Sequence, residues 1–294
     1  MKKMVIDEAF LGELEALSTL LKNNVAGMFG GNRRSKSFGS SSEFADYRDY
    51  VPGDDVTKID WNAYARFDKL YEKLYFDERQ MHTRIYIDVS RSMNHGSEEK
   101  AQQAIRLAAA FAYLSVAELD KVSVYAIRGN ALEEIVYGMV GKDSFLNCIN
   151  ALNDIVFDSD AKISEAIAPS KIGMGDGYSI IISDYLTDEN FEHAIDLLAE
   201  KKRDILCVQI LSREEINPQM RGKMHLFDSE NQNNFFRKKI DQDIVRAYKD
   251  ALNFVTDRIR TYCESRGGQY LFVPAHLTLN EIFFEKLTDM GVVK

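Results

Sequence analysis

Arg84-Ile85-Tyr86-Ile87-Asp88-Val89-Ser90-Arg91-Ser92-Met93 is an apolar, β-branched run that ends in Asp-x-Ser-x-Ser. The run reads as a strand over 84–89, and its three oxygen-bearing side chains fall on alternate positions at and just past the carboxyl end. From there one aspartate and two serines can aim at a single point. Hard oxygen groups of that kind suit Mg²⁺ or Mn²⁺.

Downstream of this run the pattern alternates between strand and helix. A long helix is expected over 97–119, then strands at 121–127 and 131–137 parted by the short turn Arg128-Gly129-Asn130. That turn implies a hairpin, and hence one antiparallel edge strand. Helices at 143–153 and 161–168 precede Tyr178-Ser179-Ile180-Ile181-Ile182-Ser183, a very apolar strand closed by Asp184. A helix at 188–201 and a strand at 204–211 follow. Then come a hairpin at 223–239, a long helix at 241–266 ending in Gly267-Gly268, a strand at 269–273 and a helix at 279–290. Continuous β-branched strands are those covered on both faces, so the fold class is α/β, with a central, mostly parallel sheet flanked by helices.

Upstream, Phe10, Leu11, Leu14, Leu17, Leu20 and Leu21 recur at helical spacing and mark an amphipathic helix over 6–22. The Gly- and Ser-rich stretch 27–42 reads as a mobile loop whose Arg33, Arg34 and Lys36 are solvated. Val51-Pro52-Gly53-Asp54 is a turn, after which Asp54 or Asp55 can cap a helix carrying Ile59, Trp61, Ala63, Tyr64 and Ala65. A strand over 70–76 completes a segment taken as 1–80, expected to pack on a main domain spanning 81–294.

Composition narrows the function. With 45% hydrophobic residues in 294 the chain can bury a sizeable core, and a formal charge of -9 with pI near 5.2 disfavours nucleic acid and anionic membranes as partners. Cys148, Cys207 and Cys263 form no C-x-x-C pair, so neither a disulfide framework nor a zinc site is indicated. The basic start Met1-Lys2-Lys3 is followed at once by acids, without the apolar stretch of a signal peptide, and the longest apolar run, 107–117, is about half a bilayer span. A cytoplasmic protein with no membrane insertion is the expectation.

In open α/β sheets ligands bind beyond the carboxyl ends of the strands, where strand order reverses. If strands 84–89 and 178–183 are neighbours, Asp88, Ser90 and Ser92 converge with Asp184. The serines would ligate through their hydroxyls, and the two aspartates directly or through water. The bland alternative is a capped turn, since Asp and Ser often satisfy their own backbone.

Asp88-Val89-Ser90-Arg91-Ser92-Met93 with Ile182-Ser183-Asp184 resembles the metal-ion-dependent adhesion site of von Willebrand factor A domains. The stretch from Glu43 to Asp55, then Ile59-Asp60-Trp61 and Ala65-Arg66, resembles the signature of domain-of-unknown-function family fifty-eight, and Leu226-Phe227-Asp228-Ser229-Glu230 extends the likeness. The resemblance covers about 5–290. It implies a von Willebrand A-like domain acting as a Mg²⁺-dependent protein-interaction module, commonly partnered with a MoxR-type AAA+ ATPase and binding a client through an acidic residue. Some relatives in that family carry N-terminal transmembrane helices, and this chain is expected to be a soluble form. The adhesion site also draws a threonine from a third loop. Residues 157–162 contain none; Ser159 is the best substitute and Asp160 the next. Arg48, Asp54, Asp55, Asp60 and Arg66 are expected to be ion pairs and caps fixing the N-terminal segment against the sheet.

A binding module, not an enzyme, is therefore the leading expectation. A metal-dependent phosphohydrolase using Asp88 has less support, because no G-x-x-x-x-G-K-S/T loop is present and Ser90 stands where a second aspartate would be. His95 is close enough in sequence to act as a base, though a lone histidine in such a loop is usually exposed, and the other histidines lack metal spacing. A structural scaffold with a degenerate metal site is the third reading.

Overall fold

The computed structural model describes residues 5–24, 44–75, 81–94, 99–169, 177–186, 190–219, 222–227 and 235–286. The loop expected at 27–42, His95, residues 228–230 of the later hairpin and the last residues of the closing helix lie outside them. The chain divides into two compact units, one of residues 30–80 and the other of Met1–Phe29 with Met81–Lys294. Helix α1 (Glu8–Asn24) belongs to the larger unit, where Phe10, Leu14, Leu17 and Leu21 join the core, so it does not group with the signature segment as the 1–80 division supposed.

In the smaller unit, β1 (Phe44–Asp49), α2 (Trp61–Phe67) and β2 (Tyr71–Tyr75) follow in order, with β1 and β2 antiparallel. The mixed sequence of β1 carries no strand pattern of its own. The single helix expected through Ile59 is broken in two. Asp55 caps only the 3₁₀ turn Val56–Lys58, while Asp60 caps α2 by accepting from the Asn62 and Ala63 amides. Asp60 also accepts from Tyr47 Oη at 2.8 Å, and Arg48 bonds Glu72 at 2.5 Å and Asp54 at 2.8 Å. The expected caps and ion pairs at Arg48, Asp54, Asp55 and Asp60 thus tie the unit to itself, and Arg66 sits in the last turn of α2, where a cation favours the helix dipole.

The larger unit continues with β3 (His82–Asp88), α3 (Glu99–Ala117), β4 (Lys121–Arg128), β5 (Ala131–Met139), α4 (Lys142–Asn153) and α5 (Ile163–Ile167). After these come β6 (Tyr178–Ser183), α6 (Glu192–Glu200), β7 (Asp204–Leu211), the short α7 (Arg213–Ile216), the antiparallel pair β8 (Gly222–Phe227) and β9 (Phe235–Ile240), α8 (Gln242–Ser265) and β10 (Gln269–Pro274). Six strands form one sheet in the order β10-β7-β6-β3-β4-β5. All neighbours are parallel except β4 and β5, which are joined by the left-handed Gly129 at φ 58°. The mostly parallel sheet, its one antiparallel edge and the inserted hairpin are the α/β arrangement expected from the sequence.

The two-residue period of a strand sorts the core into two halves. Ile85, Ile87, Ile180, Ile182, Val208 and Ile210 face α1, α3 and α4, whereas Tyr86, Ile181, Ile205 and Cys207 face α5, α6 and α8. Helix α3 is buried almost throughout, as expected of a helix apolar on most faces. The three cysteines are free thiols, Cys207 and Cys263 buried and Cys148 half-buried. The closing segment forms a π-helical turn over Glu281–Lys286, in place of an α-helix at those residues.

At the amino end of the sheet, Gly177 has φ 139°, and a Cβ there would lie 2.5 Å from the His82 carbonyl oxygen. Both the conformation and the backbone contact exclude a side chain. Gly177→Ala is expected to lose at least about 2 kcal/mol in urea unfolding, the cost of a strained backbone plus a displaced strand; a wild-type midpoint would show that β3 and β6 can part here without penalty.

Candidate metal centre

Strand order reverses at β3. From β3 the chain crosses to β4 on one side, and the later strands β6, β7 and β10 build outward on the other. The carboxyl ends of β3 and β6 therefore lie side by side, with Ile87 in register with Ile182. That register brings Asp88 beside Ser183 and Asp184.

Asp88 is 3% exposed, and both its oxygens are held. Oδ1 accepts from the Ser90 amide at 2.8 Å and Oδ2 from Ser183 Oγ at 2.5 Å. Ser183 Oγ in turn accepts from the Tyr185 amide at 2.9 Å. Ser90 Oγ and Ser92 Oγ lie 2.9 Å apart. Burial, then the neighbouring Asp184 charge, push the Asp88 carboxyl up to about 6, against the lowering effect of its hydrogen bonds from Ser183 and Ser90. A carboxylate so placed gains from any positive charge brought beside it.

The third loop runs along the first. Ser90 and Ser159 form a parallel bridge, the Arg91 amide donating to the Ser159 carbonyl at 2.8 Å and the Ser159 amide to the Val89 carbonyl at 3.2 Å. Ser159 Oγ is 3.4 Å from Asp160 Oδ1. Behind this loop, Arg128 of β4 bonds Asp158 and the Val156 carbonyl. Residues 157–161 are thus fixed beside the Asp-x-Ser-x-Ser turn by backbone pairing, which period and composition do not reveal.

Asp184 is 2% exposed and is engaged on every side. Oδ1 accepts from the Leu186 amide at 3.0 Å, Oδ2 from Lys100 Nζ at 2.9 Å, and the main-chain carbonyl from Gln209 Nε2 at 2.9 Å. Gln209 Oε1 accepts from Tyr270 Oη at 2.6 Å and Thr256 Oγ1 at 3.2 Å, tying this turn to β10 and α8. Tyr185 takes a left-handed φ of 55°, unusual for a bulky residue. Its ring meets Phe191 edge on at 5.7 Å, and its hydroxyl donates to the Ile181 carbonyl at 3.2 Å, contacts that hold the turn in that conformation.

The structure brings Asp88, Ser90, Ser92 and Asp184 to one crevice, with Ser159 on the adjoining loop. Sequence reasoning missed Lys100 and Glu215, whose side chains meet at 2.5 Å. Two signals were available. Lys100 is a cation in the first turn of α3, where the helix dipole disfavours it, and Ser212-Arg213-Glu214-Glu215 has the S-x-x-E form of a capping box, which α7 makes.

Divalent-ion chemistry fits the donors. Bonds of about 2.1 Å in an octahedron put neighbouring oxygens about 3 Å apart, close to the spacing of the two serine hydroxyls. Among the described residues no group of three or more His, Cys, Asp or Glu is placed to hold a metal, so an ion here would rest largely on neutral hydroxyls.

The sequence profile of a family described as "Protein of unknown function DUF58" matches residues 46–254. The chain belongs to this family. It is 24% identical over 229 residues to the uncharacterized proteins Rv1480 of Mycobacterium tuberculosis and Mb1516 of Mycobacterium bovis, covering 76% of this chain and 72% of each of theirs. Similar solved structures include an aerotolerance-related membrane protein from Bacteroides fragilis carrying multiple mutations to serines, at TM-score 0.40 and 15% identity over 70% of this chain and 98% of that one. The SpRpn10 VWA domain scores 0.37 at 14% identity, over 68% of this chain and 92% of its own. A von Willebrand factor type A protein from Catenulispora acidiphila scores 0.35 at 14% identity, over 47% of this chain and 35% of its own. Likenesses of this size transfer no residue roles. No helix among the described residues of this DUF58 protein is long and apolar enough to cross a membrane.

Ser183 is the hinge of the crevice, bonded both to Asp88 and to the Tyr185 amide. Ser183→Ala leaves a buried carboxylate oxygen and a buried amide short of a partner, and is expected to cost about 1–3 kcal/mol in urea unfolding. An unchanged midpoint would mean that the hydroxyl is not what joins the two strand ends.

Proposed function

We propose that this DUF58 protein is a Mg²⁺- or Mn²⁺-dependent protein-interaction module that works with a MoxR-type AAA+ ATPase in the assembly or maturation of a client protein. The carrying observation is the paired hydroxyls of Ser90 and Ser92, 2.9 Å apart beside the buried Asp88 carboxylate, at the point where strand order reverses. Ser90 and Ser92 would hold the ion directly. Asp88 would balance its charge, Asp184 would act through water, and Ser159 is the third-loop candidate. Bound there, a divalent ion supplies a Lewis-acidic position to which an outside oxygen can attach. A carboxylate of the client is the natural occupant.

A binding role fits better than phosphoryl chemistry. Asp88 is buried, and each of its oxygens already accepts a hydrogen bond from within the protein, so neither is presented to an electrophile. The ATPase partner comes from the family resemblance, and the fold is of the kind that serves protein interaction. A cytoplasmic location is part of the same proposal.

Calorimetric titration of Mg²⁺ and Mn²⁺ should give binding heat with wild type and none with Asp88→Ala or Ser90→Ala. Capture of the cognate ATPase or its client should weaken in EDTA and in Asp184→Ala. Absence of heat in wild type would sink the metal reading, and capture indifferent to EDTA would show that docking occurs elsewhere.

A further inference from the structure

Lys100 is the least expected residue at this centre. Its side chain is 2% exposed and starts from the amino end of α3, where the helix dipole opposes a cation. Burying a cation there is costly unless it is paired, and it is paired twice. Nζ donates to Asp184 Oδ2 at 2.9 Å and to Glu215 Oε1 at 2.5 Å. Glu215 is fixed in its turn, because Oε2 accepts from the Ser212 amide at 2.8 Å while its own amide donates to Ser212 Oγ at 3.2 Å. The ammonium is therefore held by two elements besides its own.

The charges within the centre are few. By formal charge Asp88, Asp184 and Glu215 contribute three negatives and Lys100 one positive, leaving two negative charges, the count that a divalent ion neutralises. Arg91 and Asp160 at the rim are exposed and opposite in sign, and solvent screens them. Without Lys100 the loaded centre would carry a net negative charge and repel an incoming acid.

We propose that Lys100 sets the ligand class of the site: by offsetting one carboxylate it keeps the metal-loaded centre neutral, which makes it receptive to a carboxylate group of a partner. The inference rests on the metal-dependent reading and adds to it a residue that trades metal affinity for anion capture. Lys100 is a positioning residue. It holds Asp184 through Oδ2 and leaves the ion to the Ser90 and Ser92 hydroxyls.

The trade predicts effects of opposite sign on two measurements. Mg²⁺ affinity, read by calorimetry, is expected to fall about tenfold in Glu215→Gln, to rise about tenfold in Lys100→Met, and to stay near wild type in the charge-balanced double variant Lys100→Met/Glu215→Gln. Sodium acetate, titrated into the Mg²⁺-loaded proteins and followed by amide shifts at Ser90 and Ser92, should change affinity in the reverse order. Glu215→Gln keeps the capping acceptor, since glutamine serves at that position too, so this arm stands even if Lys100→Met fails to fold. Mg²⁺ affinity unchanged or raised in Glu215→Gln would overturn the inference alone, as would acetate affinity moving with metal affinity. No Mg²⁺ heat in wild type would overturn the metal reading and this inference together.

Discussion

The hydrogen bond from Ser183 Oγ to Asp88 Oδ2 joins two strand ends that are 95 residues apart in sequence. Everything at the centre depends on that closure. It requires β3 and β6 to be neighbours in register, which places the strand reversal here, and it aims the Asp-x-Ser-x-Ser turn and the Asp184 turn at a shared crevice. The same serine accepts from the Tyr185 amide, so the left-handed turn after β6 is fixed by the contact that fixes Asp88. A rigid site of this kind has its side chains placed before any ligand arrives.

Around that closure the polar groups form a network. Ser90 and Ser92 are neutral donors beside the buried Asp88 and Asp184; Lys100 and Gln209 bond Asp184, and Glu215 holds Lys100. Gln209 carries the bracing into α8 and β10 through Thr256 and Tyr270, so the turn that bears Asp184 is tied to the last helix and last strand of the sheet. Asp88, Asp184, Lys100 and Gln209 are each bonded within this network, and a network satisfied in that way specifies one geometry instead of several.

Much of this was legible in the sequence, because the informative residues lie on strongly periodic elements. The apolar runs ending at Asp88 and Ser183 announced two central strands, and the oxygen donors at their ends marked the candidate site. Less was legible where structure depends on long-range pairing. Strand β1 has mixed polar composition and exists through its pairing with β2, so no local pattern marked it. The helix drawn through Ile59 was broken by Asp60, whose side chain caps α2 from within the apparent run. Lys100 was hidden because its meaning lies in partners 84 and 115 residues away. Membership of the DUF58 family was readable from Glu43 to Asp55, Ile59-Asp60-Trp61 and Ala65-Arg66, although the caps and ion pairs there serve that unit's own geometry.

We propose the turn of Asp88, Ser90 and Ser92 as the divalent-ion site of a protein-interaction module. Anomalous diffraction from crystals soaked in Mn²⁺ tests it most directly. One strong peak is expected at bonding distance from Ser90 Oγ and Ser92 Oγ, with Lys100 still bonded to Asp184 and an open coordination position facing solvent. A crevice without a peak at saturating Mn²⁺, or a peak that replaces Lys100 between Asp184 and Glu215, would contradict it.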